Sequence, residues 1–171
     1  MSKYTNTYSK LADFGKELLT KNSLTEGLPL IAKYAKEVSD ADRCSIYMFD
    51  EHKNELWTTL ADGIEKIILP ANKGIVGLTL EKAKPIIENA PYSNPHFLQD
   101  IDETSGYKTH NIATTPIFNS QKKVLGVLQL LNKEGDFDDE DIKFMVFFSH
   151  YISGFLELTN LYEEIKNRSS H

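Results

Sequence analysis

Cysteine is almost absent from this chain: Cys44 is the only one in 171 residues. That excludes an internal disulfide, a thiolate metal cage and a two-thiol redox pair. Basic clusters are missing too, none longer than Gln121-Lys122-Lys123, and the net charge is −6 with a pI near 5.4. A surface without a basic face does not suit polymeric nucleic acid, although backbone N–H groups can still hold a small anion. No apolar run reaches the length of a membrane span, and the first twenty residues are too polar for a signal peptide. A cytoplasmic protein without a membrane partner is the expectation.

Catalytic patterns are lacking as well. The five histidines, His52, His96, His110, His150 and His171, show no metal-ligand spacing. His96, near Asp100 and Asp102, reads as part of a solvated loop. Ser149 and His150 are helix neighbours and cannot face each other as nucleophile and base. The acids Asp136, Asp138, Asp139, Glu140 and Asp141 suit a helix start better than a calcium loop. There is no GxxxxGK phosphate loop. The chain is expected to be no enzyme and to carry no metal or cofactor.

What is present is ordinary globular material, 40% hydrophobic and 26% charged, enough for one cored domain with helical extensions. Tyr4, Tyr8, Leu11, Gly15 and Leu18 follow helical seam spacing. Ser23-Leu24-Thr25-Glu26 reads as a capping box for a second helix. Pro29 lies too deep for a helix starting there, so a kink or a later start is expected. From Arg43 the pattern turns extended. Cys44–Phe49, Leu56–Leu60 and Lys66–Leu69 form a meander, with Cys44 and Ser45 on opposite faces of the first strand. A short helix follows from Gly74, a brief strand at Ile86-Ile87, and a long polar connection from Asn89 to Asn111 of the kind that forms binding lids. Ile112–Phe118 and Val124–Leu131 make a hairpin. The latter is apolar on both faces except at Gln129, which therefore needs a ligand, a lid hydroxyl or a water to bond.

The last helix starts at Asp138 or Asp139. One stripe carries Phe144, Phe148, Tyr151, Phe155, Leu158, Tyr162 and Ile165, and a second includes Met145, Ile152 and Leu156. Two stripes point to a homodimer through the terminal helices; the alternative is one wide stripe wrapped by the first helix of the same chain.

The element order resembles a GAF domain, over roughly Ser23 to Phe155. Three motifs carry the likeness. Pro70-Ala71-Asn72-Lys73-Gly74-Ile75-Val76-Gly77 resembles the family's Pro-x3-Gly-Ile-x-Gly turn. Asn132-Lys133, Phe137 and Asp141 resemble its Asn-Lys…Phe-x3-Asp-Glu motif, with Ile142 in place of the final Glu. Ala90–Pro95, Phe97 and Ser105–Thr109 resemble the lid of GAF domains in cyclic-nucleotide phosphodiesterases and bacterial adenylyl cyclases. The resemblance implies an α+β fold, a central antiparallel sheet flanked by helices (GAF/PAS-like), with N- and C-terminal helices on one face. Residues 1–22 would be an N-terminal helix, 23–155 the GAF domain, and 156–171 a connector helix.

The same resemblance implies a small-molecule sensor in signal transduction, with a cyclic nucleotide as leading ligand. Its pocket would place Ser45 and Asp62 near the base and the N–H groups of Ile75 and Val76 at the phosphate. Asp102, Ser105, Thr109 and Gln129 would add polar contacts. Relatives stack an aromatic ring where Ala61 stands, carry Thr for Ser105 and Glu for Gln129. Lys133 and Asp141 would form a structural salt bridge. The methionine-sulfoxide-reductase and bilin-binding branches of the family fit poorly, given the lone Cys44. The alternative function is a ligand-free dimerisation relay in a histidine kinase or a cyclic-dinucleotide enzyme.

Overall fold

The computed structural model describes residues 8–58, 67–99 and 106–169. Six antiparallel strands form one sheet in the order β3-β2-β1-β6-β5-β4: β1 (Ala41–Asp50), β2 (Glu55–Thr58), β3 (Ile67–Pro70), β4 (Ile86–Glu88), β5 (Ile112–Phe118) and β6 (Val124–Lys133). The second strand starts one residue earlier than expected and the third ends one residue later, while positions 59–66, which include the expected end of the second strand at Leu60, lie outside the described residues. Helices α1 (Tyr8–Leu18), α2 (Leu24–Ser39) and α4 (Asp139–Ser169) flank the sheet, and α3 (Gly74–Lys82) crosses its other face.

The Ser23 hydroxyl caps α2 by accepting the Glu26 N–H at 3.2 Å, and Glu26 returns the favour to the Asn22 N–H at 3.1 Å. This helix begins at Leu24 and contains Pro29, so of the kink or later start expected from the proline, the later start is corrected. Burial of Leu24, Leu28, Ile31 and Ala35 on one side outweighs the lost hydrogen bond. Thr25, whose carbonyl loses that bond, lies on the exposed side.

Strand alternation separates two faces. Cys44, Ile46, Met48, Leu128 and Leu130 pack under α1, α2 and α4 in the main core, so Cys44 is a small buried hydrophobe there. The opposite face carries a smaller cluster of Tyr47, Leu56, Ala71, Val76 and Val127 beneath α3.

The two stripes of α4 are partitioned differently from the expectation. Phe144 and Phe148 join Met145, Ile152 and Leu156 in the core. Tyr151 and Phe155 lie over Gly15 of α1 and Gly27 of α2, where any β-carbon would overlap their rings. The glycine that weakens the helical pattern of α1 is what admits Tyr151, whose hydroxyl donates to the Leu11 carbonyl at 3.2 Å. Beyond Phe155 the stripe emerges: Leu158, Leu161, Tyr162 and Ile165 are exposed.

Candidate functional site

On the face under α3, four mid-sheet side chains keep partial exposure. Arg43 pairs with Leu131 and Ser45 with Gln129 across the two central strands, which puts four side chains in a two-by-two block on one face. All four are half-buried. Their neighbours in the same rows, Tyr47, Val127, Ile112 and Thr114, are buried. Mid-sheet residues keep exposure only where the covering layer stands clear. This block is the floor of the candidate site. It offers a guanidinium, a hydroxyl, an amide and an aliphatic surface.

One border is α3. Gly74 adopts φ +74°, a conformation open to glycine at little cost, and turns the chain from β3 into the helix. Ile75 and Val76 occupy the first turn, whose N–H groups have no acceptor inside the helix. Farther along, the buried Thr79 and Thr114 hydroxyls meet at 2.6 Å, and Thr79 also donates to the Ile75 carbonyl at 2.8 Å. This hydroxyl pair fastens α3 to β5 beside Gln129, since Thr114 and Gln129 are register partners.

The other border is the strap at 106–111 that leads into β5. The Arg43 guanidinium lies 3.7 Å from the centre of the Tyr107 ring, a cation–π contact. The Tyr107 hydroxyl donates to Asp42 at 2.6 Å. Burial first, and then the Asp42 carboxylate, raises the Tyr107 phenol above its usual pKa, so it stays a neutral donor. Thr109 is buried on the same strap.

The strap is tied to the far end of β6 by Asn132. Its backbone sits at φ +58°, which asparagine tolerates better than most residues. Its Oδ1 accepts the His110 N–H at 2.6 Å and its Nδ2 donates to the Lys108 carbonyl at 2.7 Å. Asn111 continues the tie, donating to the carbonyls of Lys133 and Gly135 at 3.0 and 2.6 Å. Lys133 then reaches Asp141 on α4 at 2.8 Å. Asp141, fully buried, and Asp138 cap each other's backbone N–H at 2.9 and 3.0 Å. A continuous set of bonds therefore runs from the strap to the first turn of α4.

A family model described as "GAF domain" matches residues 23–155. The chain belongs to the GAF domain family. GAF domains are sensory and signalling modules. A curated relative from Takifugu rubripes, the dual 3',5'-cyclic-AMP and -GMP phosphodiesterase 11A, is 30% identical over 123 residues. That alignment covers 61% of this chain and 13% of the relative, so the chain spans a small part of that protein's length. Among solved structures, the GAF domain of a phosphoenolpyruvate-protein phosphotransferase from Coxiella burnetii superposes with a TM-score of 0.80 at 20% identity, covering 94% of this chain and 98% of that one. The free methionine-R-sulfoxide reductase of Neisseria meningitidis superposes at 0.70 with 16% identity, covering 89% of each chain. At such identities the likeness establishes the α+β fold alone.

Of the residues expected in the GAF pocket, Ser45 and Gln129 are brought side by side. Ile75 and Val76 stand in the first turn of α3, and Thr109 lies on the strap. Asp62, Asp102 and Ser105 lie outside the described residues. The Lys133–Asp141 bridge forms as the family motif implies. Sequence reasoning passed over Arg43 and Leu131. Alternation from Ser45 and Gln129 was signal enough, because a residue two positions away on a strand shares the face. Among the described residues no group of three His, Cys, Asp or Glu side chains is arranged for a metal, and no helix is long and apolar enough to cross a membrane.

Proposed function

We propose that this GAF domain is the small-molecule-binding sensory part of a signal-transduction protein, with no catalytic role of its own and a cyclic nucleotide as its ligand. The open floor formed by Arg43, Ser45, Gln129 and Leu131 on the two central strands supports this reading most directly. It presents one charged and two neutral polar groups at partly exposed mid-sheet positions, the mixture by which small ligands are oriented. The similarity to a phosphodiesterase named for cyclic AMP and cyclic GMP favours the nucleotide. Cys44 lies on the opposite face, in the main core, so it cannot act on anything held at the floor.

An occupant touching the strap has a route to α4 through Asn132, Lys133 and Asp141. Binding that favours one strap position would bias the packing of the terminal helix by the difference in affinity between the two arrangements. Thermal denaturation with cyclic AMP and cyclic GMP tests the reading. A ligand at a hundredfold over its Kd adds about 2.7 kcal/mol, or roughly 5–10 °C for a domain of this size. No shift with either nucleotide, or with a panel of small metabolites, overturns it.

The same terminal helix supports a homodimer. Leu158 at 71%, Tyr162 at 61% and Ile165 at 62% exposure continue a seam of three- and four-residue steps. They adjoin an apolar trough of about 640 Å3 that Leu18, Leu19, Tyr151 and Phe155 help to line. Such a stripe on a helix is the seam of a coiled coil or bundle. Light scattering is expected to give a dimer for the wild type and a monomer for Leu158→Asp. A monomeric wild type removes the homodimer from the proposal.

A further inference from the structure

Tyr107 joins the front of the strap to the sheet. Ala41 pairs with Lys133 and Arg43 with Leu131, so Asp42 and Asn132 stand opposite each other where β1 begins and β6 ends. Tyr107 engages Asp42, Arg43 and Asn132 together. Its hydroxyl donates to Asp42 at 2.6 Å and shares a hydrogen bond with the Asn132 side chain, while its ring lies against the Arg43 guanidinium at 3.7 Å. Asn132 in turn holds the next part of the strap through the His110 N–H and the Lys108 carbonyl. One ring therefore secures both the strap and the residue that precedes Lys133.

Exposure sets the strength of this junction. Asp42 is exposed, and Arg43 and Tyr107 are half-buried, so water competes for each contact and none is strong. Behind them the strap is firm: Thr109 is 2% exposed and Asn111 5%. Asn111 also accepts the Lys133 N–H at 2.9 Å, and Lys133 reaches the fully buried Asp141, which accepts the Asp138 N–H. A weak contact at the front of a firmly anchored segment is where local opening begins. Lifting Tyr107 takes one partner from Asn132 and loosens its hold on Lys108 and His110. It also uncovers Arg43, the charged group of the floor.

Resting on the reading of the floor as a small-molecule site, we propose that Tyr107 is the latch of that site. Latched, the strap is docked on β1 and covers Arg43. Unlatched, Arg43 is freed and the start of α4 is loosened in the same step, through Asn132, Lys133 and Asp141. The strap and the first turn of α4 thus open as one unit in the empty protein, and an occupant acts by changing how often they do so.

Tyr107→Phe keeps the ring and removes the hydroxyl, while Tyr107→Leu removes both contacts. Amide hydrogen exchange, resolved by residue with NMR, is to be measured without ligand for the full chain of each and of wild type. His110 reports the strap and Asp138 the first turn of α4. Leu128 and Leu130, paired on both sides by β1 and β5, report the sheet. Exchange at His110 should rise roughly fivefold in Tyr107→Phe and about thirtyfold in Tyr107→Leu, as loss of the hydroxyl bonds and then of the cation–π contact requires. Asp138 should rise in the same order, with Leu128 and Leu130 unmoved. Unchanged exchange at His110 overturns the latch, and a rise there with none at Asp138 overturns the common opening. Equal rises at all four positions mean global destabilisation and overturn both. A wild type that binds neither cyclic AMP nor cyclic GMP overturns the nucleotide reading, while the variants, compared without ligand, still decide the latch. Where one nucleotide binds, exchange at His110 and Asp138 should change together; binding that moves neither overturns the latch and leaves the sensor reading standing.

Discussion

Asp141→Ala is expected to destabilise the domain by about 3 kcal/mol, at the lower end of what breaking a buried ion pair costs. The carboxylate is fully buried, and it holds both the Lys133 ammonium at 2.8 Å and the Asp138 N–H at 2.9 Å. Alanine removes the acceptor and leaves a lysine whose side chain is only 13% exposed. That lysine can regain water by turning outward, which is why the lower end applies. For 171 residues the midpoint should fall by roughly 6–12 °C. Asp141→Asn keeps an oxygen for the Asp138 N–H and should lose less. Lys133→Met removes the charge with its methylenes largely kept, and should also cost less than Asp141→Ala. Urea denaturation of the three variants decides the matter. A loss below about 1 kcal/mol for Asp141→Ala would mean that the bridge is ornamental, and the proposed route from strap to α4 would go with it.

Gly126→Ala should be at least as harmful, by about 3 kcal/mol, at the upper end of overpacking costs. Gly126 stands opposite Met48 at the centre of the sheet, and a β-carbon there would overlap the Tyr47 carbonyl oxygen. The obstacle is main chain on a central strand, so no side chain can swing aside. Relief requires β1 and β6 to separate, and Ser45 and Gln129 ride on those same strands. Ligand affinity should therefore fall along with stability. Gly154→Ala is the control: a β-carbon on α4 meets nothing within 4 Å, and alanine in a helix interior should add about 0.5–1 kcal/mol. Equal effects at the two sites would refute the packing account.

Much of this architecture was legible because strands and helices leave different periods in the chain. The alternation around Cys44 and Ser45 separated core from site before any coordinates, and the acidic start of α4 marked its cap. Pro29 did not delay the start of α2, because its local penalty is offset by the buried face of that helix. Phe144 and Tyr151 were placed on one stripe because spacing alone cannot say where α1 and α2 cover α4. That depends on Gly15 and Gly27 meeting specific rings across the fold. Arg43 and Leu131 escaped notice since motif likeness drew attention to positions already known for ligands, whereas their exposure is a property of the assembled sheet.

The pairing of β1 with β6 has a kinetic corollary. More than eighty of the 171 residues lie between Ser45 and Gln129, so the floor exists only after a long-range closure that ranks among the slower steps of folding. A chain that stops short of β6 lacks Gln129 and Leu131 and so half of that floor. An occupant of the proposed site should therefore bind only chains that have completed β6.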